Sequence, residues 1–464
     1  MKKIAIILAL LSLSACKVEE IANRLTGAAV NYANPLSEQT SKASDPDRPR
    51  PANPAACPNW QKDDVITFEQ STTLPRGCKY DRVSIIVKGS NMTFDCNQLI
   101  LNGIDREFRQ AVDKPYSKEN APMDVGILIQ SSQGNVTVKN CTVKNFVRGI
   151  RIGTRGLTTE RINNLKNNIN VAQTERELLA LSPKNIRVEN SNILYSHKDG
   201  VFVGRYITDF VLDNSTIKYT GAVGLYLDSG SQHNTIQNST IAQNGHSDYN
   251  ASKRVRVKKL ANDSREGIAI DSSAKNIIKN NVFSKNSGGA IFIYKNCNEH
   301  AQRAYQIPRY QSADENLIIN NQFNDEGIGI WIASRQSKNL HPLECGSPIV
   351  DTGTIRYGPV KEPAEYYEDF AKYNRVEKNT FNNVHKAVII EDDENSVLNN
   401  TFKGEANFDV RVGTKFRTLK LAHPVTNTRI ENNRFNTRTD SHITIIHSPV
   451  GTVIRNNTPA SVNN

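Results

Sequence analysis

Short apolar patterns recur along the chain and alternate with asparagine-rich segments. Each pattern has a small residue followed by two apolar positions with one residue between them, as in Gly126-Ile127-Leu128-Ile129. Uninterrupted copies start 23 or 24 residues apart, as in the pairs Gly126 and Gly149, or Gly200 and Gly224. A period of two residues predicts β-strands, and their regular recurrence predicts the stacked coils of a solenoid. The other copies begin at Gly267, Ala290, Gly329 and Ala387.

A second pattern places two polar residues, usually asparagines, before another short apolar strand, as in Asn280-Asn281-Val282-Phe283. Together the two patterns resemble the right-handed parallel β-helix superfold of pectate-lyase-like proteins, over residues 83–460. In that superfold the second asparagine points inward and bonds to its counterpart in the next coil. The resemblance therefore implies a structural ladder formed by Asn281, Asn321, Asn379, Asn400 and Asn433.

The predicted fold class is thus all-β, a single-stranded right-handed parallel β-helix with long loop insertions, in a domain of residues 60–464. The insertions, at about 155–182, 246–264, 297–314 and 336–373, all interrupt the coils beside the same strand. Loops that cluster on one side of a solenoid form walls around a binding surface. The first insertion has helical character from Thr159 to Leu181 and ends before Pro183.

The residue between the two apolar positions of each pattern is predicted to point outward, because neighbours in a strand alternate sides. Large aromatic patches on a surface usually mark binding sites, so we expect a substrate-binding column here. The alternative is that the insertions cover this column as a second small core. The column consists of Arg151, Phe202, Tyr226, Ala269, Phe292, Trp331 and Ile389, of which the aromatic members Phe202, Tyr226, Phe292 and Trp331 are the predicted binding residues.

Charged and phenolic residues flank this column. Asp228 and Asp271 are predicted to lie one coil apart, close enough for one to raise the proton affinity of the other. Alternatives are a solvated charged face or a calcium site of stacked carboxylates. No cofactor is expected otherwise, and no Cys/His spacing indicates zinc. The predicted catalytic residues are Asp228, Asp271, Tyr294, Lys295, Arg335 and Glu266, and Arg205 is predicted to bind substrate.

One local segment, from Glu266 to Asn281, is similar to the Glu…Lys-Ser…Asn run of alginate lyases of the chondroitinase-B type. The basic residue of that run falls on Asp271 here, and the later arginine falls near Tyr294 and Lys295. Lyases and C5-epimerases of this superfold must neutralise the uronate carboxylate, remove the C5 proton and reprotonate an oxygen or carbon. Lys295 and Arg335 are candidates for neutralisation or for proton abstraction, and Tyr294 is a candidate to shuttle the proton.

The first 16 residues change the picture of where the protein works. Two lysines and an apolar run precede Leu13-Ser14-Ala15-Cys16, which resembles the bacterial lipobox. We expect a signal peptide at 1–15, lipidation of Cys16 and a proline-rich tether at 16–59. Lys17 favours an outer membrane lipoprotein on the periplasmic or cell-surface face. No later stretch is apolar over the roughly 18 residues of a spanning helix.

Export makes disulfides the natural state of the remaining cysteines. The expected pairs are Cys57–Cys78 and Cys297–Cys345. Six cysteines allow fifteen pairings. Cys96 and Cys141 fall on neighbouring repeats, where they either pair or simply pack.

The formal net charge of +11 favours an anionic partner. On an exported protein with aromatic platforms, an acidic polysaccharide fits this charge better than nucleic acid. The predicted function is action on a uronate-containing polysaccharide by C5-proton abstraction, as lyase or C5-epimerase. Two alternatives stay open: a glycoside hydrolase with paired carboxylates, and a non-catalytic β-helix that binds polysaccharide or protein.

Overall fold

The computed structural model describes residues 56–103, 125–245, 247–250, 255–258, 264–296, 307–334, 370–414, 417–418, 423–459 and 462–463. Cys16, the predicted signal peptide and most of the predicted tether lie outside these ranges, as do Arg335 and the predicted pair Cys297–Cys345. Among the described residues, no helix has the length and apolar character needed to cross a membrane.

Three strands per coil build three parallel sheets, as the predicted fold class requires. Sheet 1 has β1 (Val65–Phe68), β4 (Ser84–Val87), β7 (Val125–Ile129), β10 (Arg148–Ile152), β13 (Val201–Val203), β16 (Leu225–Leu227), β21 (Glu266–Asp271), β24 (Gly289–Tyr294), β27 (Ile328–Ile332), β30 (Lys386–Ile390), β33 (Phe408–Val412), β36 (Ile443–Ile445) and β38 (Val462–Asn463).

Sheets 2 and 3 complete each coil. Sheet 2 has β2 (Thr72–Thr73), β5 (Met92–Asp95), β8 (Gly134–Lys139), β11 (Lys184–Glu189), β14 (Val211–Asp213), β17 (Thr235–Gln237), β22 (Ile277–Lys279), β25 (Leu317–Ile319), β28 (Arg375–Glu377), β31 (Ser396–Leu398), β34 (Arg429–Glu431) and β37 (Val453–Arg455). Sheet 3 has β3 (Lys79–Asp81), β6 (Ile100–Asn102), β9 (Thr142–Lys144), β12 (Asn192–Leu194), β15 (Thr216–Lys218), β18 (Thr240–Ala242), β23 (Val282–Ser284), β26 (Gln322–Asn324), β29 (Thr380–Asn382), β32 (Thr401–Glu405) and β35 (Arg434–Arg438).

Two insertions add structure outside the coils. Helices α1 (Thr159–Lys166) and α2 (Val171–Leu181) lie between β10 and β11, which confirms the predicted helical character. The strands β19 (Ser247–Asn250) and β20 (Val255–Lys258) pair antiparallel.

The asparagine ladder is present and faces inward, as predicted. The Nδ2 of Asn281 donates to Oδ1 of Asn321 at 3.0 Å, and Asn321 donates in the same way to Asn379 at 3.1 Å. The residue before each ladder position adopts a left-handed backbone, with φ of 57° at Asn280 and 56° at Asn320. Asparagine tolerates this conformation better than most residues, which explains its use at the first position of the motif, while the ladder bonds explain it at the second.

Two further ladders were not predicted from the sequence. Asn234, Asn276, Asn316 and Asn374 bond in series at the turn before sheet 2. At the turn before sheet 1, Asn244 and Asn286 lead to the buried carboxylate of Glu326. Stacked phenylalanine rings fill the interior behind sheet 3, with centroids 4.7–5.0 Å apart; they are Phe283, Phe323, Phe381, Phe402 and Phe435.

Two disulfide bonds cross-link the first coils. The predicted Cys57–Cys78 bond is confirmed, with an S–S distance of 2.04 Å. Cys96 and Cys141, for which packing and pairing were both open, form a second bond of 2.06 Å between neighbouring coils.

Candidate functional site

The outward column of sheet 1 has the register that the repeats predicted. Phe202 pairs with Tyr226, Tyr226 with Ala269, and Ala269 with Phe292 in adjacent strands. Trp331 follows next to Phe292. The column is continuous in sequence register, but its two halves have different environments.

The N-terminal half of the column lines a groove of about 790 Å³. Phe202 and Tyr226 form its aromatic floor, with their rings stacked 5.3 Å apart and inclined by 16°. Arg148 and Arg151 lie over the Phe202 ring, at 5.1 and 5.9 Å from its centroid. Such contacts attract a cation to the face of an aromatic ring. Arg148, Arg151 and Phe202 all line the groove.

Positive charge dominates the groove. Its lining residues include six cations but two carboxylates. Five of them come from the coils of β10, β13 and β21, and the sixth comes from an insertion, so the cations spread along the axis of the solenoid. An elongated anion is therefore the ligand whose charge this surface complements. The cations are Arg148, Arg151, Lys198, Arg205, Arg265 and Arg309, and the carboxylates are Asp199 and Asp228.

Both lining carboxylates are engaged by arginines. Asp199 accepts from Nε of Arg148 at 3.0 Å, and Asp228 lies 3.4 Å from Nε of Arg205. Arg205 also donates to the carbonyl of Ile307 at 3.3 Å. Each pair keeps an arginine in place, and two further lining cations, Arg265 and Arg309, pair with the buried carboxylates of Glu266 and Asp271.

Arg309 enters the site from the third insertion. Its segment is held by Tyr310, which donates to the carbonyl of Leu165, and by Gln311, whose Nε2 donates to the carbonyl of Ser231 at 3.0 Å. Nε of Arg309 lies 3.2 Å from Oδ2 of Asp271. Burial lowers the pKa of Arg309, but the charges of Asp271, Tyr226 and Asp228 raise it more, so the guanidinium stays protonated.

Asp271 is fully buried, but it contacts two residues that line the groove, Tyr226 and Arg309. The Tyr226 hydroxyl donates to its Oδ2 in a short hydrogen bond. On Oδ1 it accepts from the backbone N–H of Asn296 at 2.9 Å and from the Ser272 hydroxyl at 3.2 Å. Burial, and next the charge of Asp271, hold the pKa of Tyr226 well above its usual range.

A second phenol–carboxylate–guanidinium group lies on the next coil. Tyr294 donates to Oε1 of Glu266 at 2.8 Å, and Arg265 contacts both oxygens of Glu266 at 3.1 and 3.3 Å. Glu266 raises the pKa of Arg265 well above its usual range. Of these three residues, Arg265 lines the groove, while Glu266 and Tyr294 are buried.

In the C-terminal half of the column, Phe292 is buried and Trp331 is half-buried, and neither lines the groove. Phe292 is 8 % exposed and meets Trp331 edge-on, with the ring centroids 5.2 Å apart. Phe292 belongs to a small apolar cluster with Tyr294, Ala269 and Ala333, against which both Trp331 and Tyr226 pack. This part of the column matches the alternative of a second small core.

Lys295 also lies away from the groove. It is 1 % exposed, and its Nζ contacts the carbonyl of Tyr310 at 3.4 Å. The predicted residues that do line the groove are Phe202, Arg205, Tyr226 and Asp228.

Sequence reasoning missed Arg148, Arg265 and Arg309. Arg265 directly precedes Glu266 and Arg148 directly precedes a repeat, so a search for basic residues before each pattern finds both. Arg309 has no such signal, because its insertion has no periodicity. In the described part of the chain, no three His, Cys, Asp or Glu side chains lie close enough together to hold a metal ion.

The three sheets and a family comparison agree on the architecture. The sequence model of the family described as right handed beta helix region matches residues 125–341. The described coils form a parallel β-helix, and the right-handed family model covers residues 125–341 of them. No curated protein matches its sequence significantly.

Solved structures with this architecture are similar to the chain at low identity. An alginate lyase from Paenibacillus sp. str. FPU-7 is 12% identical, with 72% of this chain and 89% of that chain covered and a TM-score of 0.38. The A-module of a mannuronan C-5 epimerase from Azotobacter vinelandii is 10% identical, with 86% and 88% covered and a TM-score of 0.37. The catalytic domain of a GH87 α-1,3-glucanase is 13% identical, with 87% and 63% covered and a TM-score of 0.46.

Proposed function

We propose that the groove binds a uronate-containing polysaccharide and acts on it by C5-proton abstraction, as a lyase or a C5-epimerase. The observation that carries this proposal is the combination of the stacked Phe202–Tyr226 floor with six lining cations. Aromatic faces pack against the apolar faces of sugar rings. Guanidinium groups bind carboxylates through paired hydrogen bonds, which a neutral glycan does not offer.

The same groups supply what C5-proton abstraction requires. A uronate C5–H becomes acidic only when its carboxylate is neutralised, because the resulting negative charge spreads into that carboxylate. Arg309 and Arg265 lie near Tyr226 and stay charged, which supports a role for them in this neutralisation. Tyr226 and Asp228 are the groove-lining groups that can exchange a proton at the reacting carbon.

A hydrolase with paired carboxylates receives less support. Asp271 and Glu266, two of its three candidate carboxylates, are 0 and 3 % exposed and are occupied by neighbouring donors. Asp228 alone of the three lines the groove.

Product analysis tests the proposal. The full chain would be incubated with alginate, pectate, glycosaminoglycans and a neutral glucan as control, and the products examined by ultraviolet absorbance, mass spectrometry and NMR. Unsaturated ends or inverted C5 centres support it. New reducing ends without unsaturation would instead indicate hydrolysis, and binding without any product would indicate a binding protein.

We further propose that the chain is exported and anchored through a lipid on Cys16, as an outer membrane lipoprotein. The lipobox-like run 13–16 and the proline-rich segment that follows support this. Metabolic labelling with a fatty-acid probe should mark the wild type but not Cys16→Ala. An unlabelled wild type would contradict lipidation.

A further inference from the structure

The hydrogen bond between Tyr226 and Asp271 connects a phenol that lines the groove to a carboxylate that is closed off from it. Tyr226 is half-buried and lines the groove, whereas Asp271, the last residue of β21, has no exposed surface. A substrate in the groove can meet the phenol oxygen but not the carboxylate. Any role of Asp271 in proton transfer therefore has to pass through Tyr226 or Arg309.

We infer that Tyr226 and Asp271 form a proton relay, in which Tyr226 takes the C5 proton while passing its own proton to Asp271. This inference rests on the proposed function and adds the identity of the base. The hydroxyl already donates to Oδ2 of Asp271, so its proton lies on the correct side for transfer. One phenol lone pair then accepts from Arg309, and the second is left for a proton from the groove.

The atoms and charges balance within the site. The C5–H bond breaks and its proton forms a bond to the Tyr226 oxygen, while the original O–H bond of Tyr226 breaks and that proton bonds to Oδ2 of Asp271. The electron pair from C5–H stays on the sugar and spreads into its carboxylate. Tyr226 remains a neutral phenol, Asp271 becomes a neutral acid, and the added negative charge lies on the substrate beside Arg309.

A relay is needed because Tyr226 alone is a poor base. Burial and the neighbouring Asp271 charge hold its pKa well above the usual range, so the phenolate is scarcely populated near neutral pH. Concerted transfer to Asp271 avoids forming that phenolate. Asp271 is thus a positioning residue, because it never touches the sugar but orients the hydroxyl and receives its proton.

The other contacts of Asp271 keep the relay in one geometry. Two donors, the N–H of Asn296 and the hydroxyl of Ser272, occupy Oδ1, and Arg309 lies beside Oδ2. The carboxylate therefore presents Oδ2 to Tyr226. Ala269 pairs with Tyr226 on the neighbouring strand β21, and its small side chain leaves room there for the phenol.

Solvent exchange at C5 tests the relay without requiring a complete reaction. The full-length wild type, Tyr226→Phe, Asp271→Asn and Asp271→Glu would be incubated in D₂O with alginate and pectate oligosaccharides. Deuterium at C5 is read by mass spectrometry and binding by calorimetry. Tyr80→Phe is the matched control, since Tyr80 loses an equivalent hydroxyl that donates to the Pro58 carbonyl at 2.6 Å, in one of the first coils.

We expect Tyr226→Phe and Asp271→Asn each to slow exchange by about 100-fold or more, as loss of a general base does. Affinity should change less than about threefold, because Tyr226→Phe keeps the aromatic ring and neither substitution removes a cation. Asp271→Glu should recover part of the exchange rate, which a purely structural role would not explain. Tyr80→Phe should match the wild type.

The outcomes separate the relay from the proposed function. Exchange at the wild-type rate in Tyr226→Phe would overturn the relay, while the wild type still acts on uronates. Loss in Asp271→Asn without loss in Tyr226→Phe would also overturn it. If the wild type exchanges no uronate at all, the proposed function fails first and the relay with it. Tyr226→Phe removes one atom, so a folding defect is not expected to obscure the result.

Discussion

The outward column contains two aromatic pairs, Phe202–Tyr226 and Phe292–Trp331. The same sequence pattern predicts both, but their surroundings in the structure differ. Phe202 and Tyr226 stack with an interplanar angle of 16° and line the groove, whereas Phe292 is buried in an apolar cluster and meets the half-buried Trp331 at 88°. Ala269 separates them in register. An outward-facing aromatic on a solenoid can thus line a groove or belong to a small core, and the neighbouring side chains decide which.

The largest expected effect tests the covered pair. Phe292→Ala should lower the free energy of unfolding by about 3–5 kcal/mol, because it leaves a cavity beside Trp331 and Tyr294. Chemical denaturation measures this. Binding of acidic oligosaccharides by the folded fraction should stay at the wild-type level. A variant as stable as the wild type would mean that Phe292 is not packed as core.

The open pair should respond in the opposite way. Phe202→Ala should weaken binding of acidic oligosaccharides about tenfold, or ~1.4 kcal/mol, since it removes half of the stacked floor. Its melting temperature should fall much less than that of Phe292→Ala. Trp331→Ala is the matched comparison and should bind like the wild type. Equal losses of affinity in both variants would place the two pairs in one binding surface and remove the distinction.

A smaller effect concerns the charge around the open pair. Lys198 is exposed and lines the groove. Lys198→Gln should reduce affinity for acidic oligosaccharides about twofold to threefold at low salt, and the difference should shrink as salt screens the charge. Calorimetry at two ionic strengths measures it. A salt-independent loss would indicate that Lys198 contributes through packing instead.

The smallest expected effect returns to the covered half, where Glu326 ends an asparagine ladder just before β27. Burial raises the pKa of Glu326 well above its ordinary value of 4.5. The unfolded chain therefore loses this proton at lower pH than the folded protein. As a result, the free energy of unfolding falls as the pH rises from 4.5, the ordinary pKa of the carboxyl, through its raised pKa in the folded protein.

Glu326→Asn should remove this fall and raise the melting temperature slightly at neutral pH, because Asn286 occupies the same ladder position one coil earlier. Melting curves at acid and neutral pH compare the two proteins. An identical pH dependence in both would show that other groups set it. Phe202→Ala serves as the control, since it should leave this pH dependence unchanged.

Much of the coil architecture was predictable because its causes are local and repeated. Alternating apolar positions fix which side chains point inward, and the Asn-Asn motif supplies a left-handed residue such as Asn280 followed by a ladder residue such as Asn281. Strand register follows from these, and with it the column from Arg151 to Ile389. The Cys57–Cys78 bond was also predictable, from its position at the start of the coils.

The tertiary structure alone decided which half of that column is open. Arg309 reaches Asp271 from a segment without periodicity, held by contacts to Leu165 and Ser231 that are far away in sequence. Lys295 is buried, and Phe292 is packed, for the same kind of reason. Repeats encode contacts between successive coils, whereas the surroundings of a groove depend on insertions that pack across several coils, and no local pattern specifies that packing.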